Sequence, residues 1–203
     1  MAGLVAVVGS RSLPAAWADK VRQVVAALSL RGCQVASGGA LGTDLYALQA
    51  VVGSCRCQGA QVFLPGTVQQ APLACRQALQ SFVSSGGTVV PGSAPAGASR
   101  DQFITALFAR SVALAQAATG GAVAFVSGKA SGTWFTVQAV ARLGRSVVVY
   151  PIEGHTTLRS LGCGNWVALT TWPGAFRWVP SAAVGCRCKH GIQVQHCSGL
   201  PTP

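Results

Sequence analysis

Gln34-Val-Ala-Ser-Gly-Gly-Ala-Leu-Gly-Thr-Asp44 passes from an apolar run through a glycine-and-hydroxyl turn into a helix-like segment. The same order recurs at Ser127-Gly-Lys-Ala-Ser-Gly-Thr133, between the apolar run Ala122–Val126 and the helix-length stretch Thr133–Leu143. Glycine lets the backbone approach a ligand closely, and the unpaired N–H groups at a helix start favour an anion there. Two such turns point to one anionic ligand site, holding phosphate or a nucleotide, before they point to catalysis.

Further short apolar runs without clear alternation lie at Leu4–Val8, Gln61–Leu64, Thr88–Val90 and Ser146–Tyr150, the pattern of strands buried on both faces. Helix-length segments separate them at Pro14–Leu30, Thr43–Val52, Pro72–Ser84 and Asp101–Ala117, with Pro14 and Pro72 suited to first turns. In the first of these, Trp17, Val21, Val24, Val25 and Leu28 form an apolar stripe opposite Asp19, Lys20, Arg22 and Gln23. Strand–helix alternation with right-handed crossovers predicts an α/β domain over residues 1–151, a doubly wound, mostly parallel sheet whose ligands bind beyond the carboxyl ends of its strands. Both glycine turns fall at such ends. Residues 152–203 read as a C-terminal extension, a short tail rich in Cys, His and Trp.

The chain has 203 residues, half of them hydrophobic, enough for one sizeable core. Only 9% of residues are charged, yet 15 Lys and Arg face 4 acids, a formal net charge of +11 that favours an anionic partner. The basic residues are scattered singly, so the composition by itself identifies no polyanion site. Leu4–Val8 lacks the basic flank and cleavage site of a signal peptide, and apolar stretches elsewhere are interrupted before the roughly 20 residues that a membrane helix needs. A soluble, cytoplasmic protein without membrane contact is expected.

Gly9-Ser-Arg11 follows the first strand and offers a tight turn, a hydroxyl and a guanidinium suited to bidentate phosphate contact. A plain strand-to-helix turn with an exposed Arg reads the same way. In the second turn the hydroxyls of Ser37 and Thr43 and the amides around Gly38, Gly39 and Gly42 can surround an anion. Asp44 would repel phosphate, so it binds a ribose or base group, holds the loop or complements the helix N-terminus. In the third, Ser127, Gly128, Lys129, Ser131, Gly132 and Thr133 form a candidate phosphate turn whose spacing is not that of a Walker A motif.

In this order, Gly-Ser-Arg, Ser-Gly-x-Ala-x-Gly-x-Asp, the helix Leu107-Phe-Ala-Arg-Ser111, and Ala130-Ser-Gly-Thr-x-x-Thr136 followed by Ala-x-x-Gly-Arg-x-Val-x-x-x-Pro151 resemble the DNA-processing protein A (Smf) group. The resemblance covers about residues 4–151 and extends to a wider Rossmann-like superfamily (SLOG, or lysine-decarboxylase-like) of phosphoribohydrolases and nucleotide sensors. It implies a Rossmann-like fold that binds single-stranded DNA and assists loading of a recombinase, without catalytic turnover. It carries ligand-facing roles onto Gly9, Ser10, Arg11, Ser37, Gly38, Gly39, Gly42, Asp44, Arg110, Lys129, Ser131, Gly132, Thr133 and Thr136. The chain departs from the group at Thr43, usually aliphatic, and at Ser111, usually Asn. Phosphoribohydrolases carry an acid where this chain has Thr136, and Asp19, Asp44, Asp101 and Glu153 are its only carboxylates. A nucleotide sensor or phosphoribohydrolase is therefore the second reading, and a non-catalytic structural or assembly component, consistent with a homo-oligomer, the third.

In the tail, Cys186, Cys188, His190 and Cys197 supply enough soft ligands for a structural zinc ion, joined by His196, Cys55, Cys57 or Cys163 if the fold brings them near. Reduced, unligated thiols explain the same residues, a disulfide being the less expected state in a reducing compartment. No other cofactor is expected. Trp166, Trp172 and Trp178 beside Arg177 and Arg187 suit base stacking, while packing of the tail onto its domain is the stronger expectation.

Overall fold

The computed structural model of the protein describes residues 3–127, 130–152 and 157–181. Strands β1 (Leu4–Gly9), β2 (Gln34–Ser37), β3 (Gln61–Phe63), β4 (Thr88–Val90), β5 (Gly121–Val126) and β6 (Val147–Pro151) alternate with α1 (Ala18–Leu30), α2 (Thr43–Gly53), α3 (Leu73–Ser84), α4 (Arg100–Ala117) and α5 (Ser131–Arg142). These are the elements expected from the apolar runs, with small shifts at their ends. The largest is at α1, where Pro14 precedes a 3₁₀ turn, Ala15–Trp17, and the α-helix starts only at Ala18.

The sheet order is β4-β3-β2-β1-β5-β6-β8-β7, in which β8 (Phe176–Pro180) and β7 (Gly164–Ala168) are added after β6. The first six strands pair in parallel, and β8 pairs antiparallel with both β6 and β7. Side-chain alternation divides the interior in two. Val5 and Val7 of β1 and Val123 and Phe125 of β5 pack under α1, α2 and α3, against Val21, Leu28, Leu48 and Leu79. Ala6 and Val8, with Ala122, Ala124 and Val126, face the other way, toward Leu114 of α4 and Trp134, Val137 and Val140 of α5. Every residue of β5 is buried, which explains why its sequence shows no polar alternation.

The described part of the C-terminal extension thus continues the same sheet. Its tryptophans pack on the domain: Trp166 meets Trp134 and Trp178 edge-on, and Trp172 stacks on Tyr150 with ring centroids 6.4 Å apart. No helix among the described residues is long and apolar enough to cross a membrane. Cys33, Cys55, Cys57 and Cys75 are free thiols, Cys57 and Cys75 buried, whereas Cys163 is disulfide-bonded, the state that was less expected than a zinc ligand or a reduced thiol. The proposed zinc ligands Cys186, Cys188, His190 and Cys197, with His196 and Arg187, lie outside the described residues.

Candidate functional site

From β1 the chain builds outward through β2 and β3 to β4, and α4 then carries it back so that β5 lies on the other side of β1. The strand order reverses between β1 and β5. In open α/β sheets the carboxyl ends of the strands at such a reversal leave a crevice that helices cannot fill. A cleft of about 480 Å³ occupies this position.

The end of β1 contributes Gly9, Ser10, Arg11 and Ser12 to it, the end of β5 contributes Ser127, and α4 contributes Arg110. Ser131, Gly132, Thr133 and Thr136 enter from α5, and Asp44 from α2. Three hydroxyls form a chain: Ser127 Oγ donates to Ser10 Oγ at 3.0 Å, and Ser10 Oγ lies 3.1 Å from Ser12 Oγ. The first turn of α5 opens on the cleft with no side-chain cap, so its amides and the positive end of its dipole face the space.

Of the turn Ser37–Asp44, Ala40 and Asp44 line the cleft, whereas Ser37, Gly38, Gly39, Gly42 and Thr43 do not, and Thr43 fastens α2 to the end of β1. Thr43 N–H and Thr43 Oγ1 both donate to the Ser10 carbonyl, at 3.2 and 3.3 Å, and Ser37 Oγ donates weakly to the Asp44 carbonyl at 3.5 Å. Thr43 is fully buried, and its hydrogen bond to the backbone beside the cleft satisfies the hydroxyl. Gly9 leaves room for Thr43, since a Cβ there would stand 2.5 Å from the Phe125 carbonyl and collide with Thr43 Oγ1.

Asp44 and Arg110 meet at the back of the cleft, Oδ2 to Nη1 3.9 Å, both nearly inaccessible. Asp44 Oδ2 also accepts from Ala40 N–H at 3.3 Å, while Asp44 Oδ1 and Arg110 Nε have no hydrogen-bond partner. Burial pushes the Asp44 carboxyl up to about 6, against the opposing pull of Arg110, the Ala40 amide and Arg11. Burial likewise lowers the Arg110 pKa, opposed by Asp44 and reinforced by Arg11. Both shifts have one cause: at 3.9 Å the mutual attraction does not offset desolvation of the two charges. Gly38 gives the pair its space, because a Cβ there would overlap Arg110 Nη1 and lie 2.6 Å from Asp44 Oδ2.

Gly128 and Lys129 lie outside the described residues. Ser12, Ile104, Phe108 and Phe135 also line the cleft and were not expected as site residues. Ser12 follows the Gly-Ser-Arg motif directly, and its hydroxyl could have been read as a continuation of it. The Phe108 and Phe135 rings meet edge-to-face at 4.8 Å, a contact between two helices that no local pattern announces.

DNA processing protein A from Helicobacter pylori, which binds single-stranded DNA, has a similar fold: TM-score 0.58 and 16% identity, covering 76% of this chain and 68% of that one. DNA processing protein A from Streptococcus pneumoniae gives a TM-score of 0.53 and 22% identity over 75% of this chain, which spans about half, 51%, of the pneumococcal one. No curated protein matches significantly. The family profile of DNA recombination-mediator protein A matches residues 2–170, from β1 through β7. Since that match runs through every element lining the cleft, the chain belongs to the DNA recombination-mediator protein A family.

Proposed function

We propose that the cleft between the ends of β1 and β5 binds single-stranded DNA, and that the chain acts as a recombination mediator through it. The observation that carries this reading is the convergence of Arg11, Arg110, the Ser10–Ser12–Ser127 hydroxyls and the uncapped start of α5 on one cavity. Asp44 is the one carboxylate lining it among the described residues. Arg11 is exposed and within electrostatic reach of both Asp44 and Arg110, so it is placed to meet a phosphate arriving from solvent. Delivery of the strand to a recombinase and self-association belong to the same proposal.

Titration of a labelled oligothymidylate should show binding that weakens steeply with salt. For Arg11→Ala the log–log salt slope should become shallower by about 0.7 for each phosphate contact removed, with affinity falling roughly 5- to 20-fold at low salt. Folded protein that binds no strand at low salt would contradict the reading.

One observation favours the second reading, a mononucleotide site with turnover: Asp44 is a buried carboxyl in the cleft with a pKa near 6, suited to proton transfer. Asp101, by contrast, is exposed in the first turn of α4. Release of free base from a nucleoside monophosphate, abolished in Asp44→Asn, would establish that reading. Mononucleotide-dependent thermal stabilisation without release would establish a sensor.

A further inference from the structure

Arg110 borders a second recess. At the carboxyl ends of β3 and β4, Phe63, Leu64 and Val90 floor a space of about 160 Å³ closed on one side by Ala109 of α4, with Arg110 between it and the main cleft. Its rim begins at Pro91 and is held in place. Gly92 N–H donates to the Gly66 carbonyl at 3.0 Å, Ala94 N–H to the Pro65 carbonyl at 2.9 Å, and Gln70 Nε2 to the Pro95 carbonyl at 2.8 Å. A Cβ on Gly92 would collide with the carbonyls of Leu64 and Pro65, so glycine is what allows the rim to lie against the end of β3.

Complete ligand pockets run from about 300 to 1,000 Å³, so this recess has room for a fragment, a single flat ring system without its sugar and phosphate. Phe63 is buried and apolar on the α4 side of the sheet and offers a ring dispersion contact but no countercharge, whereas the Leu64 side chain packs on the opposite face. The separating wall is loosely held. The Arg110 guanidinium makes no hydrogen bond among the described residues, its contact to Asp44 is 3.9 Å long, and its Nε has no partner. Turning it therefore breaks no hydrogen bond to a described residue, and a planar guanidinium can bond a phosphate on one side while lying against a ring on the other.

We propose that this recess is a base subsite, which takes one nucleobase of a strand whose adjacent phosphate lies in the main cleft on the other side of Arg110. The inference rests on the single-stranded DNA reading and adds to it a path across α4, from the ends of β1 and β5 to the ends of β3 and β4.

The test is fluorescence anisotropy at low salt with a labelled oligothymidylate and with versions carrying one abasic nucleotide at successive positions. Base stacking on a protein surface predicts that an abasic nucleotide at the position occupying the recess weakens binding by about 5- to 100-fold. Ala109 is an exposed helix position, and Ala109→Phe fills the recess without disturbing the core. This variant should bind the intact strand as weakly as the wild type binds that abasic strand, and should bind the abasic strand unchanged. Comparing two strands on one protein separates loss of the subsite from loss of folding. An abasic scan flat to within twofold, or an Ala109→Phe loss equal on both strands, overturns the subsite while leaving strand binding intact. Absence of binding to every strand overturns both.

Discussion

Gly42→Ala is expected to destabilise the protein by about 3 kcal/mol or more, lowering its urea midpoint with little change in slope. Gly42 precedes α2 with φ 71° and ψ −124°, a region open only to glycine. An alanine Cβ would add an overlap, standing 2.6 Å from the Arg11 carbonyl and closer still to that of Ser10. Neither obstacle is a flexible side-chain end: both are backbone oxygens at the end of β1. Relief requires α2 to move away from β1, and that motion breaks the two hydrogen bonds from Thr43 to the Ser10 carbonyl. Because Ser10 also anchors the hydroxyl chain to Ser127, the molecules that still fold should bind DNA weakly. Gly97, with nearly the same φ of 71° but open space around it, is the control: Gly97→Ala carries only the conformational term, about 1 kcal/mol. A Gly42→Ala loss no greater than that of Gly97→Ala would show that the close approach of α2 to β1 does not hold the site.

The contrast between these two glycines shows where sequence reading succeeds. Leu4–Val8 and Ala122–Val126 announce themselves because burial on both faces leaves an unbroken apolar run. β7 gives no such signal: Asn165, Val167 and Ala168 are exposed, and its register depends on β8, itself paired to β6. The glycines of Ser37–Asp44 are recognisable as a turn opening a helix, but their division of labour is tertiary. Gly42 makes room for the end of β1 and Gly38 for Arg110, residues distant in the chain, and only the fold brings them there. The same holds for Asp44. Its position in the first turn of α2 suggests helix complementation, yet its carboxylate accepts from Ala40 N–H in the loop before the helix, while the Arg110 partner and the burial that raises its pKa come from α4 packing over the turn.

That raised pKa should make stability fall as pH rises from about 4 to 6, and DNA affinity fall as pH rises above about 6. Below the ordinary carboxyl value of 3.8, Asp44 is protonated in folded and unfolded chains alike and contributes no pH dependence. Between 3.8 and about 6 the unfolded chain releases its proton first while the folded chain retains it, so unfolding becomes easier with rising pH. Above about 6 both forms are ionised, and the loss, on the order of 2 to 3 kcal/mol, is complete. Asp44→Asn keeps the shape and the acceptor for Ala40 N–H but stays neutral, so at pH 7.5 it should be more stable than the wild type and should lack this part of the pH profile. Binding follows the same sign. An ionised Asp44 partners Arg110 and repels an incoming phosphate; protonation removes the repulsion and leaves the guanidinium to the ligand. At an effective dielectric near 20 a carboxylate and a phosphate about 5 Å apart repel by roughly 3 kcal/mol, and the open side of the cleft reduces this to about a tenfold change in affinity. Strand affinity should therefore rise about tenfold from pH 7.5 to 5.0 in the wild type, with a correspondingly smaller rise in Asp44→Asn, which should already bind more tightly at pH 7.5. Weaker binding by Asp44→Asn at pH 7.5, with the protein folded, would instead assign the carboxylate a direct contact to the strand, the role of a base or sugar acceptor rather than a counterion to Arg110.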